Sequence, residues 1–180
     1  MEKIKILVAE DESVAQKIYE KGLLEEVFER RIVGNGESAL EVYLAWKPDI
    51  VILDFRMPKM TGYSVLKQIR ELYKDTTTII IMATAISDKE EVMACVKLGI
   101  QGYIVKPVKM VTISEKILGY FQKFYPEKGK AALEKVKDSK KKMIAEERQR
   151  AIEAQKAKTK TENKPPPQNA EAEVPKQKPT

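Results

Sequence analysis

Five short apolar runs alternate with stretches of helical periodicity along the first 125 residues, and this alternation most constrains the fold. The runs are rich in β-branched residues, and four of them are almost continuously apolar, as in a sheet that is covered on both faces. Strand–helix order repeated five times predicts right-handed crossovers and an α/β three-layer sandwich around a parallel sheet. The predicted strands are Ile4–Ala9, Arg30–Val33, Ile50–Leu53, Thr78–Ala83 and Gly102–Val105.

The segments between these runs place their apolar residues near helical spacing, which predicts one helix after each strand. Asp88 is a favourable N-cap residue for the fourth helix, and Gly99 is a favourable C-cap residue after it. The predicted helices are Ser13–Glu25, Glu37–Trp46, Ser64–Tyr73, Asp88–Leu98 and Val111–Phe124.

The composition changes after Pro126. Residues 1–126 hold 18 basic and 18 acidic side chains, whereas residues 127–180 hold 15 and 9, so the net charge of +6 belongs to the C-terminal segment. This segment is first rich in helix-forming residues and then in Pro, Lys and Gln, a composition typical of disorder. We predict a domain at 1–126, a charged helical extension at 127–160 that buries little apolar surface, and a disordered tail at 161–180.

Cysteine usage and hydropathy bear on the cellular compartment. Cys95 is the only cysteine, which excludes an internal disulfide and favours a reducing cytoplasm. The run at Ile6–Ala9 is too short for a secretory signal, and the longest near-apolar stretch, Thr78–Ile86, is too short to cross a membrane. We therefore predict a cytoplasmic protein without membrane insertion.

Charged side chains stand where three of the predicted strands end. Glu10 and Asp11 follow the first strand, Asp54 follows the third, and Lys106 follows the fifth. In neighbouring parallel strands these residues converge at one edge of the sheet, and crowded carboxylates are unfavourable unless a cation or a proton relieves them. The pattern predicts a divalent-metal site with a phosphoryl-accepting aspartate. Each acid alone is equally explained as a cap of the following helix.

Together the motifs resemble the receiver domain of two-component response regulators, over about two-thirds of the chain. This resemblance implies a flavodoxin-like sheet of order 2-1-3-4-5, with its site beyond the carboxyl ends of the strands. The motifs that carry it, in chain order, are Glu10-Asp11, Asp54 with Met57-Pro58 and Gly62, Thr84-Ala85, Tyr103, and Lys106-Pro107.

The resemblance also implies a role for each site residue. Asp54 accepts the phosphoryl group, and Lys106 pairs first with Asp54 and then with a phosphoryl oxygen. The Thr84 hydroxyl hydrogen-bonds the phosphoryl group, and Tyr103 changes rotamer as Thr84 moves. The implied Mg²⁺ ligands are Glu10, Asp11, Asp54 and the backbone carbonyl of Arg56.

Simpler interpretations stay open for single residues. Thr84 alone is typical of a strand filler, Tyr103 of a packing aromatic, and Lys106-Pro107 of a turn. Arg56 and Ile86 stand two residues after Asp54 and Thr84, where a bulky cation and an apolar side chain would restrict attacking water.

The resemblance predicts a signalling protein rather than an enzyme, one that assists only its own phosphorylation and dephosphorylation. The 180 residues contain no histidine, so a histidine kinase or histidine phosphotransfer protein is the expected donor. The expected output surface comprises the fourth helix, the fifth strand and the fifth helix. Two alternatives are a DNA-associated transcription regulator that uses the basic tail, and a phosphate sink without an output partner. Acids interleaved with the bases of the tail disfavour nucleic-acid binding.

Overall fold

A computed structural model describes residues 2–85 and 89–162, with side chains described through residue 153. The chain divides into two compact units, Met1–Ser139 and Lys140–Thr180. Of the second unit, the structure describes a helical segment to Glu162. The part of the predicted disordered tail beyond Glu162 therefore lies outside the described residues. Ile86 and the predicted cap Asp88 lie outside them as well. Within the described part, no helix combines the length and the apolar character that a membrane span requires.

Five parallel strands form one sheet in the order β2-β1-β3-β4-β5, which confirms the predicted fold. Ala9 pairs with Leu53, and Leu53 pairs with Met82, so the carboxyl ends of the three central strands lie level with one another. The strands are β1 Ile4–Ala9, β2 Phe28–Val33, β3 Ile50–Asp54, β4 Ile79–Thr84 and β5 Gly102–Val105.

In the described part of the chain, six α-helices follow or connect these strands. The third continues into a π-helical turn at Gln68–Leu72. Gly99 ends the fourth in the left-handed region, with a φ of 87°, as expected of a C-cap glycine. The helices are α1 Ser13–Gly22, α2 Gly36–Trp46, α3 Gly62–Lys67, α4 Lys89–Lys97, α5 Ile113–Phe124 and α6 Pro126–Glu162.

Alternation along the strands divides the core into two layers. In β1, Ile6 and Val8 face a cluster formed by α1, α5 and the start of α6, whereas Leu7 and Ala9 face a cluster formed by α2, α3 and α4. Each fully buried aliphatic side chain of this kind stabilises the fold by about 1.5–3 kcal/mol. This arrangement is the predicted three-layer sandwich.

The first helix ends three residues earlier than predicted, at Gly22. A β-carbon at this position would lie 2.8 Å from the carbonyl oxygen of Met110, so the glycine permits close approach of the loop before α5. The Ser114 hydroxyl donates a 2.6 Å hydrogen bond to the Gly22 carbonyl, which satisfies one of the free acceptors at the helix end.

The first unit of the structure extends past the predicted domain boundary at 126. Ala132 and Val136 of α6 are both 0% exposed and belong to the same core cluster as α1 and α5. Gly129 makes this packing possible, because a β-carbon there would lie 2.5 Å from the Cα of Gln122. The start of α6 thus buries apolar surface that the sequence analysis did not assign to it.

Candidate acidic site at the carboxyl edge of the sheet

The predicted site residues of β1, β3 and β5 meet at one edge of the sheet. Glu10 directly follows β1 and is fully buried, Asp54 ends β3 and is 7% exposed, and Lys106 directly follows β5. The Glu10 backbone N–H donates to the Val33 carbonyl at 3.0 Å, so the ladder between β1 and β2 continues through this residue. The sheet order brings together side chains that are far apart in sequence.

The Lys106 ammonium group binds both buried carboxylates. Its Nζ donates to Glu10 Oε1 and to Asp54 Oδ2, each at 2.8 Å. Glu10 Oε2 lies 2.7 Å from the same nitrogen, yet it accepts no hydrogen bond from it. The backbone N–H of Lys106 donates to the Thr84 carbonyl at 2.9 Å, and the Lys106–Pro107 peptide bond is cis.

Burial and pairing act in opposite directions on the charges of this site. Burial raises the pKa of Glu10, although the hydrogen bond and the charge of Lys106 partly offset the effect. Burial alone would lower the pKa of Lys106, but the hydrogen bonds to Asp54 and Glu10 raise it instead. The ammonium group therefore stays protonated and partly neutralises two carboxylates.

The carboxylates of Glu10, Asp11 and Asp54 form a cluster that could hold a metal ion. One oxygen of each lies within 4.8 Å of the others, and Asp11 is exposed whereas the other two are buried. Carboxylate oxygens are the hard ligands that Mg²⁺ and Ca²⁺ prefer, and a divalent cation would offset the excess negative charge. The residues therefore fit the predicted ion.

The backbone of Arg56 lies beside this carboxylate cluster. Its N–H lies 3.4 Å from Asp54 Oδ1, and its guanidinium group lies 3.7 Å from Glu91 Oε1 on α4. The role of its carbonyl as a metal ligand stays a prediction. Ile86, the second residue expected to border the site, lies outside the described residues.

Gly62 allows the loop after β3 to close over Asp54. A β-carbon at Gly62 would overlap with the carbonyl oxygen of Asp54. The Gly62 N–H donates to the Phe55 carbonyl at 3.1 Å, and the Thr61 hydroxyl caps α3 by accepting from the Ser64 N–H. Steric exclusion of a β-carbon thus explains why the motif has a glycine at position 62.

Thr84 and Tyr103 face a common small cavity. Thr84 ends β4 and is buried, and Tyr103 lies on the neighbouring strand β5. The cavity measures about 10 Å³, roughly the space for one water molecule, so a tyrosine side chain cannot enter it without movement of its lining. Its lining residues are Phe55, Met82, Thr84, Glu91, Val92, Cys95 and Tyr103.

Three residues near the site were missed by the sequence analysis. The Gln16 side-chain amide donates a 2.6 Å hydrogen bond to the Glu10 carbonyl. Glu91 faces Arg56, and Tyr19 is a tyrosine whose pKa is raised by burial and then by the charges of Glu10 and Asp54. These side chains come from α1 and α4, where periodicity identifies only the apolar face. The spacing of Gln16 and Tyr19 by three residues would have placed both on one side of α1.

Comparison with protein-family models identifies this arrangement. The model of the response regulator receiver domain matches residues 6–118, which include every predicted site residue. The chain belongs to the receiver domain family. In this receiver the sheet has the predicted order, and Glu10, Asp54 and Lys106 meet at its edge as predicted.

Curated relatives share the receiver part of the chain. The chain is 36% identical over 117 residues to a probable transcriptional regulator ycf27 of Porphyridium aerugineum, an alignment covering 65% of this chain and 48% of the relative. It is 31% identical over 103 residues to the regulatory protein AtoC of Escherichia coli, covering 57% of this chain and 22% of that protein. The receiver therefore spans half or less of the length of these two relatives.

Solved structures show the same fold. A CheX–CheY–BeF3–Mg²⁺ complex from Borrelia burgdorferi matches with a TM-score of 0.59 and 28% identity, covering 66% of this chain and 89% of that chain. The chemotaxis protein CheY4 of Vibrio cholerae matches with a TM-score of 0.58 and 27% identity, covering 68% and 99%. Both likenesses extend over nearly the whole neighbouring chain.

Proposed function

We propose that this receiver accepts a phosphoryl group on Asp54 and signals through a phosphorylation-dependent change in protein–protein contact. The observation that carries the proposal is the Lys106 ammonium group, 2.8 Å from Asp54 Oδ2 in a site that also holds Glu10 and Asp11. Phosphoryl transfer depends mainly on positioning and on neutralisation of charge. A carboxylate with a fixed cation beside it meets both needs.

The proposed reaction is a transfer between two proteins. A carboxylate oxygen of Asp54 attacks the phosphorus of a phosphohistidine, the P–N bond breaks, and the electron pair returns to the imidazole of the donor. Because these 180 residues contain no histidine, a histidine kinase or a histidine phosphotransfer protein is the proposed partner. The receiver assists only its own phosphorylation and dephosphorylation, so we class it as a signalling protein rather than an enzyme.

The proposed cofactor is Mg²⁺. Glu10, Asp11, Asp54 and the carbonyl of Arg56 would hold the ion, which would supply positive charge to the phosphoryl oxygens. The Mg²⁺ in the Borrelia burgdorferi complex supports this assignment. Lys106 supplies the remaining fixed charge from the chain itself.

The proposed output passes through Thr84 and Tyr103. The Thr84 hydroxyl would bind the phosphoryl group, and Tyr103 would respond through the cavity that both residues line. The predicted output surface on α4, β5 and α5 carries exposed apolar side chains that suit a protein partner, such as Met93, Val96 and Val105. We place this exchange in the cytoplasm.

The assignment of Asp54 is tested by phosphorylation in vitro. Incubation with a small-molecule phosphodonor and Mg²⁺ should add one phosphoryl group per chain, and the product should be labile to hydroxylamine. Asp54→Ala should abolish labelling, whereas circular dichroism should show an intact fold. Undiminished labelling of the variant would reject Asp54 as the acceptor.

The metal assignment is tested at Asp11. Asp11→Ala removes one carboxylate from a crowded cluster, so the variant should lose Mg²⁺ binding while its melting temperature stays equal or rises. Glu12→Ala is the matched control, because Glu12 is the adjacent exposed acid and lies outside the cluster. Mg²⁺ affinity equal to wild type in Asp11→Ala would remove Asp11 from the ligand set.

The relatives named as transcriptional regulators favour a second candidate, a role in DNA-associated regulation. Their similarity covers only the receiver part of this chain, and the basic segment at 127–180 lies mostly outside it.

An interaction screen of phosphorylated and unphosphorylated protein separates an output partner from a phosphate sink. A DNA-binding assay at physiological salt tests the candidate itself, because contacts to phosphates weaken steeply as salt rises.

A further inference from the structure

Tyr19 is a buried tyrosine beside the acidic site that the proposed mechanism does not use. It lies on α1, is 0% exposed, and packs in the core cluster that contains Ile6 and Val8. Its hydroxyl group has no hydrogen-bond partner among the described residues. A phenylalanine would fill the same apolar space without burying a polar group, so the hydroxyl is unfavourable here unless it has a partner in another state.

The backbone places Glu10 on the same side of the sheet as Tyr19. Ile6 and Val8 face the cluster of Tyr19, and Glu10 follows Val8 by two residues in a ladder that continues through residue 10. Gln16, one helical turn before Tyr19, is already bonded to the Glu10 carbonyl at 2.6 Å. Burial raises the pKa of Tyr19, and the charges of Glu10 and then Asp54 raise it further.

The Glu10 carboxylate depends on one cation for both of its oxygens. Its Oε1 accepts from Lys106 at 2.8 Å and from the Glu12 N–H at 3.3 Å. Its buried Oε2 lies 2.7 Å from the same ammonium nitrogen but accepts no hydrogen bond within the described part of the chain. Lys106 is also shared with Asp54. Any movement of the ammonium group toward a phosphoryl oxygen would remove this contact and leave the buried carboxylate with one donor fewer, which is unfavourable.

We propose that Tyr19 is a positioning residue of the acidic site, whose hydroxyl donates to Glu10 Oε2, directly or through one water molecule. The bond forms in the cation-bound state, where it holds Glu10 in place, and it supplies a further donor when Lys106 turns to the phosphoryl group. The second of these effects rests on the proposed function, whereas the first rests only on the carboxylate cluster.

Tyr19→Phe tests the inference, because it removes only the hydroxyl. By calorimetric titration, we expect its Mg²⁺ dissociation constant to rise about tenfold, the effect of one lost hydrogen bond to a charged group. Its melting temperature without Mg²⁺ should stay equal or rise, since the hydroxyl has no partner in that state. A purely structural role would move the melting temperature and leave the affinity unchanged.

Tyr43→Phe is the matched control. Tyr43 is a buried tyrosine of the other core layer, and its hydroxyl donates to Asp75 Oδ2 at 2.7 Å. This variant should lose melting temperature and keep the Mg²⁺ affinity of the wild type. Equal affinity in Tyr19→Phe and Tyr43→Phe would overturn the proposal, as would a wild-type protein that binds no Mg²⁺.

A double-mutant cycle shows whether Tyr19 acts through Glu10. In a Glu10→Ala background, Tyr19→Phe should cause no further loss of Mg²⁺ affinity, whereas an undiminished tenfold loss would overturn the proposed contact. The phosphorylation rate of Tyr19→Phe should recover at saturating Mg²⁺. A wild-type protein that binds Mg²⁺ but accepts no phosphoryl group would reject the proposed function and leave the Mg²⁺ titrations to decide the role of Tyr19.

Discussion

Lys106 and Asp54 lie 2.8 Å apart although β4 separates the strands that carry them. The lysine side chain reaches across this strand at the edge of the sheet and contacts Glu10 as well. One cation thus links the ends of β1, β3 and β5. A single substitution at Lys106 should affect both the reaction and the stability of the domain.

Lys106→Met keeps a long side chain and removes the charge. We expect the phosphorylation rate to fall at least about tenfold, because the phosphoryl oxygens lose a fixed cation. Without Mg²⁺, the free energy of unfolding at pH 7 should fall by about 3 kcal/mol, since Glu10 keeps a buried charge without its partner. Lys109→Met, at an exposed lysine of the same loop, is the control for both measurements. Wild-type rates in Lys106→Met would contradict the assigned role.

Arg56 should lengthen the lifetime of the phosphorylated form. Its backbone lies at Asp54 and its guanidinium group lies 3.7 Å from Glu91, so we expect the side chain to restrict the approach of water to the acceptor. Arg56→Ala should hydrolyse its acyl phosphate several-fold faster in a decay assay, since each 1.4 kcal/mol of lost barrier is about tenfold in rate.

Lys59 gives the matched control for that assay. It stands in the same loop and makes an equally long ion pair with Glu37, at 3.7 Å. Lys59→Ala should decay at the wild-type rate. Equal decay in Arg56→Ala and Lys59→Ala would remove the shielding role of Arg56.

Truncation should distinguish the two parts of α6. Removing the chain after Pro126 takes away Ala132 and Val136 from the core, so we expect the free energy of unfolding to fall by about 3 kcal/mol or more. Truncation after Ser139 keeps these residues and should melt at the temperature of the full chain. Identical melting of the two truncated proteins would show that the start of α6 adds no stability.

Asp75 should make the free energy of unfolding of the domain depend on pH in the acid range. Partial burial alone would raise the pKa of Asp75, but hydrogen bonds from the Thr78 and Tyr43 hydroxyls and from the Thr78 and Thr77 backbones lower it well below its usual range. A lowered pKa means that the unfolded chain binds the proton more tightly. The contribution is therefore fully present above the unfolded-state pKa of about 3.9 and is lost as pH falls below it.

Asp75→Asn measures this contribution. At pH 7 its free energy of unfolding should be lower than that of the wild type by about 1 kcal/mol, and the difference should shrink below about pH 4. Glu26→Gln removes an exposed carboxylate and should leave the curve of stability against pH unchanged. A difference for Asp75→Asn that is constant from pH 7 to pH 3 would contradict the linkage.

The sequence predicts the sheet well because continuous β-branched runs leave few alternatives to buried parallel strands. The prediction is weaker where a strand is polar. Strand β2 begins at Phe28, two residues before the predicted start at Arg30, because the polar Glu29 interrupts the apolar pattern. The burial of Ala132 and Val136 was missed because two small apolar residues in a charged helix carry little signal. Their burial depends on Gly129 and its contact with α5, which is a tertiary effect.

The convergence of Glu10, Asp54 and Lys106 was predictable because parallel strands end at a common edge. The contributions of Gln16, Tyr19 and Asp75 were not, since each depends on which way a helix or loop side chain turns after packing. Periodicity predicts which face of α1 is buried, but it does not predict the surroundings of the Tyr19 hydroxyl group. Such residues are found from hydrogen-bond partners and burial, which only the structure supplies.

Chemical mapping of the modified residue is the decisive test of Asp54 as the phosphoryl acceptor. The wild-type protein is treated with a small phosphodonor and Mg²⁺, the acyl phosphate is reduced with borohydride, and the peptides are analysed by mass spectrometry. This assignment predicts homoserine at position 54 in a yield that depends on Mg²⁺. Homoserine at another aspartate, or unmodified Asp54 in protein that carries a phosphoryl group, would contradict it.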